Sequence, residues 1–491
     1  MNRCSAIVAP VILSIGMAAS QSNDPHAAGA FHTGAYRNLL TLELGIPEAA
    51  VGARIDSAFR QLFYGDDQNE RLYYPVGDDM AYIEDIPNAD VRTEGMSYGM
   101  MVAVQLDKKE EFDRLWKWTK MYMYMSAGPH RGYFAWHCRP DGRVIDSTAA
   151  SDGEEWFVTA LYFASARWGD GEGIFAYRTE AEHILNTMLH KEDEPAHGNV
   201  TNMFDAKEKL VRFVPDVRAN HFTDPSYQLP HYCELWSQWA PEDNEFWKKA
   251  AAAGRRLLRI AANPHTGLSP DYSTFGGQPE QSRGGSHAAF RFDAWRVAMN
   301  VALDWMWFAD DPWDVEQSNR LLKFFASQGI KEYGNQYTLD GKQQLGNDHS
   351  AGLVAALAVA ATAATDPIRV QFLNELWLTP IPHGRYRYYD GMLYLLGLLQ
   401  VSGNFRIFAP GASVRGTADH DGTGWIEFEN DGKSFPLSSS GTSAPLCVTA
   451  SDYPGVIRVV HLFQKDVSSV SGVKPDVVLD RVPSARSIVL I

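Results

Sequence analysis

The chain carries about twelve helix-like segments, and every second one opens on an isolated acid set among aromatic residues. Glu94 in Arg92-Thr93-Glu94-Gly95-Met96-Ser97-Tyr98, Asp152 in Ser151-Asp152-Gly153-Glu154-Glu155-Trp156, Asp224 in Phe222-Thr223-Asp224-Pro225-Ser226-Tyr227 and Asp293 in Phe290-Arg291-Phe292-Asp293-Ala294-Trp295-Arg296 all stand at or near such a start. If the alternate helices form one inner ring, their N-termini bring these carboxylates into a single cleft.

The segments fall into pairs: 53–63 with 94–106, 109–125 with 154–168, 178–191 with 226–239, 245–262 with 288–308, 315–328 with 349–364, and 367–376 with 388–401. Apolar residues recur three and four apart, as in Phe112, Leu115, Trp116 or Phe157, Ala160, Leu161, Ala164, the stripe of a helix with one buried face. The second member of each pair is the more apolar and Ala-rich, as in Gly352-Leu353-Val354-Ala355-Ala356-Leu357-Ala358, and a helix apolar nearly all round belongs inside. The expected fold is therefore all-α, an (α/α)6 barrel of six helical hairpins with the first helix of each pair outside. The connections after the outer helices, such as 128–153 and 263–287, are long and rich in Gly, Pro, Asp and aromatics, which marks them as functional loops.

The helical pattern ends near Val401-Ser402-Gly403-Asn404. Beyond it, 424–435 reads as a β-hairpin and 456–463 as a strand, so 406–491 is expected to be a short β-rich extension, a small β module or a partly disordered one. At the other end, residues 1–20 read as an export signal: Arg3 is the only charge before Asp24, 6–19 is apolar, and Ala18-Ala19-Ser20 supplies small residues for cleavage. The apolar core is too short to span a bilayer. A periplasmic or secreted protein is expected, with its catalytic domain at 30–405 and no membrane attachment once the signal is removed. Cys138, Cys233 and Cys447 remain, an odd number without metal-ligand spacing, so neither a disulfide framework nor a zinc site is indicated.

A net charge of −16 without a long basic run argues against nucleic acid or an anionic membrane as the main partner. A neutral substrate fits better. The 14 Trp and 21 Tyr offer faces on which sugar rings stack, although most such residues serve a core.

Acetal hydrolysis needs one carboxylic acid to protonate the leaving oxygen and one carboxylate to activate water or to attack the sugar. Glu94 and Asp293 are the best pair. Glu94 has Gly95, Met96 and Tyr98 as neighbours, a setting of low polarity that keeps a carboxyl protonated. Asp293 lies close to Arg291 and Arg296, cations that favour an ionised carboxylate. Read without partners, both acids could equally be helix N-terminal residues favoured by the macrodipole. Asp152 reads as an N-cap, with Glu155 completing a capping box, and Asp224-Pro225-Ser226 as a helix opening. His349 reads as a cap-region or core histidine. No His-Glu-x-x-His, phosphate loop, Gly-x-Ser-x-Gly or dinucleotide fingerprint is present, so no metal or other cofactor is expected.

In these stretches, together with Gly132-Tyr133-Phe134-Ala135-Trp136 and Gly384-Arg385-Tyr386-Arg387-Tyr388-Tyr389-Asp390-Gly391, the chain resembles glycoside hydrolase family 8, and within it the branch of reducing-end xylose-releasing exo-oligoxylanases. The blocks run in order over about residues 30–405. The resemblance implies an (α/α)6 barrel and an inverting hydrolysis of xylo-oligosaccharides, with Glu94 as general acid and Asp293 as general base. It also implies that Asp152 holds and distorts the sugar just before the cleaved bond, which overrides its reading as a cap. Trp136 is implied as a stacking wall, and Tyr227, Arg296, His349 and Tyr389 as substrate-binding residues. One departure stands out. The exo-acting branch closes the reducing-end side of its cleft with a Leu-His-Pro loop, and the aligned residues here are Asn347-Asp348-His349-Ser350. His349 is kept and its neighbours are not, which leaves an open cleft and endo-xylanase action as the alternative. A catalytically idle carbohydrate-binding barrel is disfavoured because both carboxylates are present.

Overall fold

All six expected hairpins are present in the computed structural model, which describes residues 29–281, 286–410, 437–439, 441–452, 454–481 and 489–490. The export signal at 1–20 and the hairpin expected at 424–435 lie outside the described residues. Two short helices, α1 (Gly29–Thr33) and α2 (Leu39–Leu44), come first. The hairpins are α3 (Glu48–Tyr64) with α4 (Thr93–Gln105), α5 (Lys109–Trp118) with α6 (Ser151–Trp168), α7 (Tyr177–His190) with α8 (Pro230–Trp239), α9 (Asn244–Ala261) with α10 (Trp295–Phe308), α11 (Trp313–Ser327) with α12 (Ala351–Ala363), and α13 (Arg369–Leu378) with α14 (Arg387–Val401).

The even-numbered helices from α4 to α14 form the inner ring. Neighbours pack in the order α8, α10, α12, α14, α4, α6. The ring closes between α6 and α8, where Trp236 Nε1 donates to Thr159 Oγ1 at 3.2 Å and Trp156 meets Tyr232 edge to face. Burial follows the composition: in α12 every residue from Gly352 to Ala361 is buried, whereas α9 buries the stripe Trp247, Ala250, Ala251, Gly254, Leu257, Leu258 and Ala261. A helix surrounded on all sides cannot present a polar face, and one on the rim must. Each inner helix passes to the next outer one through a short link, and such neighbours pack against each other, as α4 does on α5, α6 on α7 and α8 on α9. The long connections therefore all gather at the other end, around the N-termini of the inner helices.

Two inner helices begin later than their periodicity predicts. Asp224-Pro225 starts a separate 3-10 turn, Pro225–Tyr227, and α8 begins only at Pro230; likewise Phe290 pairs with Tyr337 and α10 begins at Trp295. The first residues of these segments thus line a cleft and not a helix. The loops also hold small antiparallel ribbons that periodicity did not reveal, such as Tyr73–Val76 with Met80–Ile83 and Val91–Arg92 with His137–Cys138.

The chain divides into two compact units at 411/412. In the second unit the expected strand at 456–463 is replaced by a helix, α15 (Pro454–Ser471). The unit is an α/β arrangement: Leu446–Val448 pairs in parallel with Val477–Leu479 and with Val489–Leu490. Parallel neighbours need a crossover of a dozen or more residues, which is what α15 supplies. Its Val456, Ile457 and Val460 pack with Leu446, Val448 and Val477, so the β-branched run at 456–463 serves a helix face four residues in period.

A close approach within the ring gives a test. A Cβ on Gly397 of α14 meets the Cβ of Ala355 on α12 at 2.9 Å. Gly397→Val is expected to destabilise the protein by about 1–3 kcal/mol in denaturant unfolding, through overpacking. An unchanged midpoint would show that α12 and α14 are not packed this closely.

Candidate active site

The cleft opens where the inner helices start. Glu94 is in the first turn of α4 and Asp152 in the first turn of α6; Asp224 caps the 3-10 turn ahead of α8, and Asp293 precedes α10 by two residues. Helix N-termini carry partial positive charge, which favours carboxylates there. Gly95 and Gly153 let the elements approach: a Cβ on Gly95 meets the Tyr388 ring at 2.7 Å, and one on Gly153 meets Thr93 at 2.5 Å. The cleft measures ≈ 610 Å³ and is lined by Arg92, Glu94, Trp136, Asp152, Tyr227, Tyr272, Asp293 and Arg296 among others.

One cation joins the four acids. Arg296, in the first turn of α10 and 5% exposed, donates from Nη1 to Glu94 Oε2 at 3.0 Å, to the Tyr98 hydroxyl at 2.9 Å and to Asp152 Oδ2 at 3.1 Å. Its Nη2 donates to Asp293 Oδ1 at 3.1 Å and lies 3.7 Å from Asp224 Oδ2. Glu94 and Asp293 therefore hang on different amino groups of one guanidinium, which limits those two oxygens to no more than about 8 Å apart. The Tyr227 ring centroid lies 5.5 Å from the guanidinium carbon.

Burial pushes the Glu94 carboxyl up to about 7, helped by the charges of Asp152 and Asp293 and opposed by Arg296 and Arg92. Burial also raises Asp152, against Arg296, and holds Asp224 well above the usual carboxylate range with help from Asp293. The expectation of a raised Glu94 carboxyl agrees with this direction, although the cause is burial among charged groups and not an apolar setting. The other oxygen of Glu94, Oε1, accepts from the Tyr388 hydroxyl at 3.0 Å.

Of the other residues singled out in the sequence, Trp136 and Tyr227 line the cleft. Trp136 stacks on His137, with the Arg92 guanidinium carbon 5.6 Å from its ring. Tyr389 is adjacent: its hydroxyl donates to the carbonyl of Phe292 at 2.9 Å and its ring meets Trp295, so it braces the backbone beside Asp293. His349 does not line the cleft. Its Nδ1 faces the Tyr333 carbonyl at 3.0 Å and its Nε2 lies 3.3 Å from Glu375, which is how a cap-region histidine with satisfied nitrogens looks. The capping box at Asp152 is absent. Ala150 is the N-cap of α6, so Asp152 falls inside the first turn and turns to Arg296, while Glu155 is buried. Glu154 accepts from the backbone N–H of Phe134 at 3.0 Å and so anchors the stretch that carries Trp136. Asp224 is the cap it was read to be, accepting from Ser226 N at 2.6 Å, and it also faces Arg296.

Sequence reasoning missed Tyr98, Tyr388 and Asp271. Tyr98 lies four residues after Glu94 on one helix, a spacing that places both on one face and that could have found it. Asp271 accepts from the N–H of Ala294 at 3.2 Å and meets His287 Nδ1 at 3.0 Å; burial raises its carboxyl to about 6. It belongs to the long 263–287 loop, but nothing local distinguishes it. Tyr388 comes from the last hairpin and reaches Glu94 only through the fold.

Residues 83–403 match the model of the glycosyl hydrolases family 8. The chain is 46% identical over 385 residues to the reducing-end xylose-releasing exo-oligoxylanase Rex8A of Paenibacillus barcinonensis, covering 77% of this chain and 98% of that one. It is 46% identical over 387 residues to a reducing end xylose-releasing exo-oligoxylanase of Halalkalibacterium halodurans, covering 78% and 97%. Among solved structures, a catalytic mutant of a xylanase from Teredinibacter turnerae in complex with xylohexaose superposes with a TM-score of 0.74 at 45% identity, covering 78% of this chain and 100% of that one.

The geometry around Glu94 predicts its titration. The infrared carboxyl band that Glu94→Gln removes is expected to titrate near 7, and Tyr388→Phe is expected to move it upward, because the ionised form loses a hydrogen-bond donor. A midpoint near the ordinary value of 4.5 would contradict the buried, charge-crowded setting.

Proposed function

The chain belongs to the glycosyl hydrolases of family 8, and from that premise we propose that it cleaves β-1,4-xylosidic bonds of xylo-oligosaccharides with inversion, releasing xylose from the reducing end. The observation that carries this reading is the Glu94–Arg296–Asp293 bridge in a chain that matches 97–98% of the length of two reducing-end xylose-releasing relatives.

Glu94, held protonated by burial, donates its proton to the glycosidic oxygen as the bond to the anomeric carbon breaks. A water on the opposite face of the sugar attacks that carbon and gives a proton to Asp293, the general base. Asp293 then loses this proton to solvent and Glu94 regains one. Inversion needs the two carboxyl groups roughly 6.5–9.5 Å apart, and a gap of about 5 Å would belong to a retaining enzyme. The limit of about 8 Å imposed by the shared guanidinium is compatible with the inverting span. Asp152 holds the sugar before the cleaved bond and favours its distorted ring, Trp136 stacks against a sugar face, and Tyr227 and Arg296 shape the floor. Tyr389 acts through the backbone at Phe292.

Endo-acting cleavage is the second reading. It is favoured by the Asn347-Asp348-His349-Ser350 departure and by the engagement of His349 with Tyr333 and Glu375.

Xylotetraose labelled at its reducing-end sugar separates the two by mass spectrometry of early products. Labelled xylose with unlabelled xylotriose is the expected result. Labelled xylobiose as the main early product would establish the endo reading, and no cleavage would refute both. Glu94→Gln and Asp293→Asn are each expected to lower turnover by about 10²–10⁴-fold with the fold intact. Near-normal turnover in either variant would remove that residue from its role.

A further inference from the structure

Besides the cleft, a second and much smaller cavity touches Arg296. It has room of ≈ 10 Å³ for the centre of a water molecule, and its polar walls are Tyr98, Asp152, Ser226, Arg296, Asn300 and Gln400. Each of these six is at most 5% exposed. Three of their polar atoms are buried without a hydrogen-bond partner among the described residues: Nε of Arg296, Oγ of Ser226 and Oε1 of Gln400. The three are chemically complementary to a single water, since the first only donates, the last only accepts and the hydroxyl does both. A buried donor on a cation is costly to leave unpaired, and a polar cavity of this size with two to four partners is where internal water binds.

We propose that this cavity is a water-binding site, in which one water accepts from Arg296 Nε and donates to Gln400 Oε1, with Ser226 Oγ as its third partner. The water anchors the guanidinium from its Nε edge while both Nη groups serve the acids of the cleft. Ser226 and Gln400 are thereby positioning residues: neither reaches the reacting atoms, and both act through Arg296. Ser226 is itself fixed, because its carbonyl accepts from Asn300 Nδ2 at 2.7 Å and its N–H is held by Asp224. The catalytic consequence rests on the reading of Glu94 as general acid, whereas the site itself does not.

The test is a high-resolution crystal structure of the protein together with the variants Ser226→Ala, Gln400→Met and their combination. The expected result is an ordered water within hydrogen-bond distance of Arg296 Nε and of Ser226 or Gln400, lost in the double variant. The double variant is also expected to show kcat lowered several-fold with KM little changed, and an alkaline limb of the pH profile displaced upward as Arg296 loosens its hold on Glu94. If the double variant does not fold, the single variants carry the same two readouts. A dry cavity in the unaltered protein would overturn the site. An ordered water whose loss leaves the pH profile unmoved would overturn the positioning role. The density is read without substrate, so its outcome stands apart from whether xylo-oligosaccharides are cleaved.

Discussion

The cleft depends on a single buried guanidinium. Arg296 bonds Glu94, Asp152 and Asp293 and faces Asp224, four carboxylates that repel one another and of which Asp152 and Asp224 are buried. Burying a charge is costly unless it is paired and hydrogen-bonded. One cation cannot neutralise four acids, so part of the cluster must hold protons. Glu94, the proposed general acid, is where that consequence matters chemically: its burial outweighs the attraction of Arg296, and a carboxyl poised near neutrality is what proton donation to a leaving oxygen requires.

The barrel makes this crowding possible. Short links from inner to outer helices place all the long connections at one end, where the inner helices begin. Their N-terminal dipoles offset some of the negative charge that Arg296 does not. Glycines directly after Glu94 and Asp152 let α4, α6 and α14 close in, so that Tyr388 from the last hairpin reaches an acid on the first. Helix α4 holds Glu94 and the turn just ahead of α10 holds Asp293, while loops supply the rest of the sugar-facing surface.

The helices were legible because their apolar spacing is regular and their burial follows it: the Ala-rich run of α12 is buried almost throughout. Helix starts were less so. By local pattern alone Asp152 reads as a cap, because the capping-box spacing tolerates a shift, yet α6 begins just before it, and only the family resemblance directs it to the sugar. The segments before α8 and α10 looked helical because their aromatics and acids continue the period, yet those residues serve the cleft. Glu94 and Asp293 could be named because each is an isolated acid at a helix start, whereas Arg296 as the hub shared by four acids could not, since its partners lie up to 202 residues away. The 456–463 run reads as a strand by local propensity, yet it lies in the helical crossover between the parallel strands Leu446–Val448 and Val477–Leu479.

The most direct test of the account is the pH dependence of kcat/KM in Arg296→Lys beside the unaltered protein, with xylotetraose as substrate. An ammonium on a flexible stem cannot bond Glu94, Asp152 and Asp293 at once as the planar guanidinium does. The account predicts a loss of about 10²-fold or more and an alkaline limb that moves up from near 7, because Glu94 keeps its burial and its acidic neighbours but loses the guanidinium's hydrogen bond. A near-normal rate with the limb unmoved would contradict the claim that this guanidinium sets the state of the acids around it.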